Sequence, residues 1–116
     1  MLVQLNTDQH IDGRADLASW VEGEVSDTLE RYGEQIVRVE VFFSDENSHK
    51  SGSLDKKCTL EARLAGMEPV IATDQGGSVD QALEGALDKL LVALERKVGR
   101  LSDRKGRTSF GGDQTI

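Results

Sequence analysis

The stretch "IVRVEVFF", residues 36–43, decides the fold because apolar and polar side chains alternate along it. Such a period of two predicts a sheet strand with one buried face and one face in water. The stretch "CTLEARL", residues 58–64, repeats the pattern, so the two runs predict neighbouring antiparallel strands. The faces predicted to be buried hold Val37, Val39, Val41 and Phe43 in the first strand and Cys58, Leu60, Ala62 and Leu64 in the second.

The segment before these strands, "IDGRADLASWVEGEVSDTLERYG" (residues 11–33), predicts a helix. Its apolar residues recur at helical spacing, and they are Leu17, Val21, Val25, Leu29 and Tyr32, with Trp20 beside them. Asp12 is the predicted N-cap. Gly33 is predicted to take the left-handed conformation that often follows a helix.

A second helix is predicted after the strands, where Ser78 and Gln81 form an S-x-x-Q capping box. Its apolar stripe consists of Val79, Leu83, Leu87, Leu90, Leu94, Val98 and Leu101. Two shorter runs, "LVQLN" (residues 2–6) and "PVIAT" (residues 69–73), predict two further strands, the latter at a sheet edge because proline opens it. Residues 106–116 have no periodicity and are predicted to be a disordered tail after one domain spanning residues 1–105.

The predicted order is therefore β-α-β-β-β-α, an α+β fold. The first two strands should pair in parallel through a right-handed crossover, and the others should form antiparallel hairpins. Each helix has one apolar stripe and each strand one apolar face. We therefore expect a four-stranded mixed sheet with both helices packed on one face.

Length and composition exclude several classes of protein. A chain of 116 residues can build one core but not two. It has no apolar run long enough for a membrane span and begins with no secretory signal pattern. Its single cysteine, Cys58, allows neither a disulfide framework nor a multi-thiol zinc site. These features predict a cytoplasmic protein.

Charge is distributed unevenly along the chain, whose net charge is −7. Residues 89–107 hold seven bases and two acids, and the remainder holds seven bases and nineteen acids. Bases near a helix C-terminus complement its dipole, but this run exceeds that need. We therefore favour phosphate binding over a merely solvated face for this end of the chain.

No residue pattern indicates catalysis, a cofactor or a small-molecule substrate. Asp8, His10 and Asp12 alternate as metal ligands can, but a solvated loop before a helix explains them better. Cys58 falls on an apolar strand face, where a free thiol is usually an inert small hydrophobe. The stretch "DQGGSVDQ" (residues 74–81) lacks the phosphate-loop spacing, and its two aspartates would repel a phosphate.

Two blocks, "LERYGEQIVRVEV" (residues 29–41) and "ALEGALDKLLVALERKVGRL" (residues 82–101), together with the element order, resemble the ribosome hibernation-promoting factors. These are also called ribosome-associated inhibitors, ribosomal subunit interface proteins or sigma-54 modulation proteins. The resemblance covers residues 2 to 105 and implies a fold like a double-stranded-RNA-binding domain with an extra strand. It also implies a non-catalytic inhibitor that binds small-subunit rRNA and preserves idle ribosomes. Ending at Ile116, the chain is expected to be a short member without the domain that dimerises ribosomes.

The resemblance also implies binding residues. Lys89, Arg96, Lys97 and Arg100 match the last helix of the family, His49 and Lys50 match its polar tip, and the basic run adds Arg104 and Lys105. The loop "SDENSHKSGSLDKK" (residues 44–57) is longer than hairpins need. We expect a mobile arm in which Lys56 and Lys57 join His49 and Lys50 against rRNA or a ribosomal protein, or else an insertion without a partner. A rival hypothesis is a protein-interaction module whose acidic surface meets a basic partner.

Overall fold

The chain is described by a computed structural model that covers the backbone of residues 1–7, 14–45 and 56–106 and the side chains of residues 1–7, 16–45 and 56–99. The elements are β1 (Leu2–Thr7), α1 (Arg14–Thr28), a short 3₁₀ helix (Glu30–Tyr32), β2 (Ile36–Asp45), β3 (Lys56–Leu64), β4 (Val70–Gly76) and α2 (Val79–Gly106). The predicted β-α-β-β-β-α order is confirmed. The predicted N-cap Asp12, the candidate metal ligands Asp8 and His10, and most of the predicted tail lie outside the described residues.

The four strands form one sheet in the order β1-β2-β3-β4. β1 pairs with β2 in parallel, whereas β2 with β3 and β3 with β4 are antiparallel. One cross-strand row runs through Val3, Val39, Ala62 and Val70. The mixed sheet and the edge position of β4 are therefore as the sequence predicts.

Both helices pack on the same face of this sheet, hereafter the inner face. Its buried strand residues are Val39, Val41, Phe43, Cys58, Leu60, Ala62, Leu64, Val70 and Ala72. α2 lies along β4 and β3, while α1 packs against β1. All of these buried residues form one core cluster with Val21 and Val25 of α1 and Leu90 of α2. The predicted α+β arrangement with both helices on one face is confirmed.

The beginning of β2 departs from the predicted alternation. Ile36 pairs with Leu64 and Arg38 with Arg63, so Val37 is an extra residue in a β-bulge. A bulge places two residues opposite one and shifts the alternation locally. As a result Ile36 is buried and Val37 is 58% exposed, and the prediction that Val37 faces the core was wrong.

The end of the first helix also differs from the prediction. α1 ends at Thr28, and the chain continues through the 3₁₀ helix, in which the Tyr32 N–H donates to the Leu29 carbonyl at 2.9 Å. Gly33 has φ −59° and ψ −29°, which any residue adopts, so the predicted left-handed conformation was wrong. Tyr32 is nevertheless buried as the helical spacing predicted, because the tighter turns bring it back onto the core.

The N-terminus of α2 is fixed by its capping residues. The Gln81 N–H donates to Ser78 Oγ at 3.2 Å, as in the predicted capping box. Gln81 Oε1 accepts from the Gly77 N–H at 2.9 Å, one residue before the N-cap and not at the N-cap as the predicted box has it. At Gly76 a Cβ atom would lie 2.7 Å from Gln81 Cβ and 2.9 Å from the Ala82 nitrogen. Glycine therefore allows the end of β4 to lie directly against the first turn of α2.

Candidate nucleic-acid interface

The candidate interface includes Lys89 of α2, whose side chain lies against β4. Its Nζ atom donates to Asp74 Oδ1 and to the Thr73 carbonyl, each at 3.3 Å. A Cβ atom at Gly85, one turn earlier in α2, would overlap the Asp74 carboxylate. The glycine therefore makes room for Asp74, and Asp74 in turn positions the Lys89 ammonium against the edge strand.

The Asp74 carboxylate is stabilised in its charged form. The backbone N–H of Gln75 donates to Asp74 Oδ1 at 2.9 Å, and this bond, followed by the bond from Lys89, lowers the pKa of Asp74. An ionised carboxylate beside the ammonium offsets its charge. Lys89 therefore presents less positive charge to a ligand than its exposed position implies.

The positive charges of Lys97 and Arg96 are offset less by neighbouring groups than that of Lys89. Lys97 Nζ donates to the Glu68 carbonyl at 3.1 Å, and this neutral acceptor leaves the net charge of the ammonium in place. Arg96 is exposed and forms no ion pair with any described residue. We call these two residues and Lys89 the basic flank of α2.

The other side of α2, where Glu95 approaches the 3₁₀ helix, is acidic. Its exposed acids are Glu84, Asp88 and Glu95. Glu95 lies 3.9 Å from Arg31 Nη2 of the 3₁₀ helix, and both side chains are exposed, so this pair contributes little to stability. Arg31 also stacks 5.0 Å from the Tyr32 ring centroid. α2 thus carries a basic flank along β4 and exposed acids on its other side.

Three predicted binding residues lie further along α2. The helical backbone continues to Gly106, so the positions of Arg100 and Arg104 follow Arg96 and Lys97 at helical spacing. The side chains of Arg100, Arg104 and Lys105 lie outside the described ones. His49 and Lys50 lie outside the described residues altogether.

Lys56 and Lys57 lie on opposite faces of the sheet and apart from Arg96 and Lys97 of the basic flank. Lys56 Nζ is 3.5 Å from Asp45 Oδ2, and the residue pairs with Gly76 beside the first turn of α2. Lys57 lies opposite Ser44, on the face without helices. At 1.5 Å per residue, about 27 Å separates the first turn of α2 from Lys97. The structure therefore does not bring these two lysines together with Arg96 and Lys97.

Cys58 lies on the buried face of β3, as predicted, directly across the strand pair from Asp74. Burial, and secondarily the Asp74 charge, raises the pKa of its thiol to about 12. The thiol is therefore neutral at physiological pH and cannot act as a thiolate nucleophile there.

The described part of the chain contains no pocket and no cluster of three or more His, Cys, Asp or Glu side chains that could hold a metal ion. Within the same residues, no helix combines the length and the apolar character that crossing a membrane requires.

Sequence reasoning missed two features of the surface. One is the contact between Asp74 and Lys89, two residues on different elements for which the sequence carries no short-range signal. The other is a charge pattern on the face without helices, where Arg38 pairs with Glu40 and Arg63 with Glu61. The latter could have been found, because each pair has a spacing of two in adjacent predicted strands.

Comparison with known proteins identifies a family to which the chain is similar. The chain matches the family model described as sigma 54 modulation protein / S30EA ribosomal protein over residues 6–105. No curated protein matches it in sequence.

Two solved structures are similar to the chain. One is a ribosomal subunit interface protein from Coxiella burnetii (TM-score 0.66, 18% identity, covering 85% of this chain and 99% of that one). The other is the Thermus thermophilus Protein Y N-terminal domain (TM-score 0.65, 18% identity, covering 84% and 99%). At such identities the likeness shows the fold. The family match covers most of the chain, which therefore belongs to the sigma 54 modulation protein / S30EA ribosomal protein family, the ribosome hibernation-promoting factors that its sequence blocks resemble.

Proposed function

We propose that the chain is a non-catalytic hibernation factor that binds rRNA of the small ribosomal subunit and inhibits translation. The observation that carries this proposal is the basic flank of α2, where Arg96 and Lys97 retain their charge in a surface otherwise dominated by acids. The family match supports the ribosome as the target, and the Coxiella burnetii protein is itself described as a ribosomal subunit interface protein.

The charges of the chain favour one orientation on a polyanion. Phosphate groups attract Arg96 and Lys97 and repel the acids of α1 and of the opposite side of α2. Because the net charge is −7, naked duplex RNA is expected to bind weakly. A shaped site on the small subunit can contact the basic flank while leaving the acidic surface in solvent.

The remaining predicted residues extend this contact. Arg100, Arg104 and Lys105 would continue the contact of the basic flank towards the C-terminal end of α2. His49 and Lys50 of the loop, together with Lys56 and Lys57, would make a separate contact with rRNA or a ribosomal protein. Two separate contacts would fix the orientation of the domain.

Inhibition in this proposal is steric. The protein occupies the small-subunit channel in which mRNA and tRNAs are placed, so it needs neither a cofactor nor a small-molecule substrate. Its place of action is the cytoplasm, where ribosomes translate.

A second candidate function is a protein-interaction module for a basic partner. It is favoured by the acidic surface itself, since Glu22, Glu24 and Asp27 of α1 are exposed, as are Glu84, Asp88 and Glu95 of α2. This surface would bind a basic protein by charge complementarity, and binding would then be independent of the basic flank.

Co-sedimentation with purified small subunits tests both candidates. We expect wild-type protein to sediment with the subunits and the double reversal Arg96→Glu and Arg100→Glu to remain in the supernatant. Arg31→Glu is the matched control, because it makes the same type of charge change per residue on the acidic side of α2 and should retain binding.

Binding by the double reversal at the wild-type level would refute the basic flank as the interface. Equal loss in the Arg31→Glu control would show that net charge, and not the flank, determines binding. Binding of wild-type protein to a basic protein, without any binding to subunits, would favour the second candidate.

A further inference from the structure

The face of the sheet turned away from both helices, hereafter the outer face, carries an ordered charge pattern. Arg38 lies directly opposite Arg63, and Glu40 lies directly opposite Glu61. Like charges in opposite positions of a strand pair are unfavourable. Here each charge is compensated by an opposite charge two residues away on the same strand, because Arg38 pairs with Glu40 and Arg63 Nη2 lies 3.2 Å from Glu61 Oε2.

The pattern forms two adjacent bands that run across the strands. We call Arg38 and Arg63 the arginine band, and Glu40 and Glu61 the glutamate band. The row that contains Val39 and Ala62 lies between the bands, with those two side chains buried on the inner face. Exposed apolar residues border the bands on this face or at its end, namely Leu2, Val37, Phe42 and Ile71.

We infer that the outer face binds the outer face of a second copy of the chain. A two-fold axis running across the strands, above the row of Val3, Val39, Ala62 and Val70, places the arginine band of each copy over the glutamate band of the other. The same rotation brings Phe42, beyond the glutamate band, towards the Val37 end of β2 in the second copy. A two-fold contact of this kind is isologous, with the same patch on both copies.

A second copy fits this surface better than another class of partner. The two bands carry equal and opposite charge, so together they attract neither a polyanion nor a basic protein, and Lys57 adds a single positive charge beyond them, opposite Ser44. Alternating bands instead select a partner with the same bands in reverse order, and the two-fold rotation of the chain supplies that partner. The inference does not depend on the proposed ribosome binding, because the basic flank and α2 lie on the other side of the sheet.

The size of the outer face indicates how strong the contact should be. Four strands about 4.8 Å apart and about 20 Å long give a surface about 19 Å by 20 Å, with a stacked sheet about 10 Å away. This footprint, about 380 Å² per copy, is smaller than that of standard specific interfaces, which bury about 1,200–2,000 Å² in total, and is typical of weak, transient contacts. We therefore expect a reversible dimer with a dissociation constant in the micromolar range, of the order of 10–100 µM.

Sedimentation equilibrium with charge-exchange variants tests this inference. Wild-type protein should change from 12.7 kDa to about twice that mass as its concentration rises through the micromolar range. Arg38→Glu with Arg63→Glu, and separately Glu40→Arg with Glu61→Arg, should each weaken self-association at least about tenfold. An equimolar mixture of the two variants should restore a dimer, since one copy then presents only acids and the other only bases.

Three outcomes would overturn the inference: wild-type protein that stays monomeric throughout, single variants that dimerise like wild type, or a mixture that stays monomeric. Circular dichroism checks that each variant is folded. If either double variant is unfolded, Arg63→Ala decides the question, because the Arg63 side chain is 49% exposed and its loss leaves Arg38 in place. Arg31→Glu, which lies away from the outer face, should dimerise as wild type does.

Discussion

The two helices of this protein bury very different numbers of side chains against the sheet. Of the α2 side chains that the structure describes, six are buried against β3 and β4, namely Ala82, Leu83, Ala86, Leu87, Leu90 and Leu94. Among the described side chains of α1, Val21 and Val25 alone are buried, and Leu17 and Trp20 are partly exposed. Small residues let α2 approach β4 closely, whereas Gly23 of α1 has open space beside it.

The helix that contributes most to the core is therefore also the one that carries the candidate binding surface. The buried stripe of α2 holds the core together, while the basic flank lies beside it on the same element. α1 contributes less to the core, and its exposed side can therefore carry a dense set of acids. A substitution in α2 affects either the core or the binding surface, according to its position around the helix axis. Paired substitutions at different positions can therefore distinguish the two effects.

The largest expected difference between the helices comes from truncating a buried leucine. Leu90→Ala should lower the free energy of unfolding by about 2–5 kcal/mol, because Leu90 is fully buried and its loss leaves a cavity. Leu17→Ala in α1 should cost less, since Leu17 is only partly buried. Urea denaturation of both variants measures this, and equal losses would contradict the comparison.

A smaller effect is expected from glycine substitution. Gly76→Ala should cost about 1–3 kcal/mol, because the new methyl group would press against Gln81 and the backbone of Ala82. Gly23→Ala in α1 should instead raise stability by about 0.5–1 kcal/mol through better helix propensity. Thermal unfolding of the two variants would show shifts of opposite sign, and a stabilising Gly76→Ala would mean that β4 and α2 are further apart than described.

The Asp74–Lys89 contact should limit how strongly the basic flank binds. Asp74→Asn keeps the shape over Gly85 but removes the charge that offsets Lys89, so affinity for small subunits should rise about 2- to 5-fold. The salt dependence should also steepen by about 0.7–0.9 in slope, as for one further phosphate contact. The matched control is Asp27→Asn in α1, which changes net charge equally and should leave the slope unchanged.

The same contact predicts a dependence on acid. Because the pKa of Asp74 is lowered in the folded state, its stabilising contribution is present above its ordinary value of 3.8 and is lost as the pH falls through the folded value. Asp74→Asn should therefore flatten the acid limb of the stability curve. An unchanged acid limb would indicate that the carboxylate is not held as described.

Ionisation of the Cys58 thiol is expected to have the smallest effect on stability near neutral pH. Since its pKa is raised from 9.0 to about 12, the folded state keeps the thiol protonated while the unfolded chain ionises. The resulting stability is complete below pH 9.0 and is lost as the pH rises towards the folded value. Cys58→Ala should reduce this alkaline loss, and the native thiol should react with Ellman's reagent only as fast as the protein unfolds.

The sequence alone predicts most of the fold because its patterns are strong and local. Alternation in β2 and β3 and the long stripe of α2 fix element type and buried face. Alternation could not locate the bulge, because Ile36 and Val37 are both apolar and either can occupy the buried place. Gly33 was misassigned because a glycine after a helix fits a 3₁₀ turn as well as a left-handed cap.

The candidate site was less predictable. Charge composition identified Lys89, Arg96 and Lys97 as one basic group, but not that Asp74 offsets one of them. That contact depends on how α2 lies along β4, which is a property of packing and not of either segment. The bands of the outer face likewise depend on the register between β2 and β3, which only the pairing of the two strands reveals.

The strand order β1-β2-β3-β4 has a consequence for how the chain folds. β2, β3, β4 and α2 follow one another directly in sequence and in space, so this unit can form through mostly sequential contacts, which favour fast folding. The parallel pairing of β1 with β2 must close over the whole of α1, a costlier loop. We expect the meander and α2 to form the folding nucleus and β1 with α1 to dock last. Trp20, the single tryptophan of the chain, lies in the late-docking part, so its fluorescence should report a step that lags behind the appearance of secondary structure.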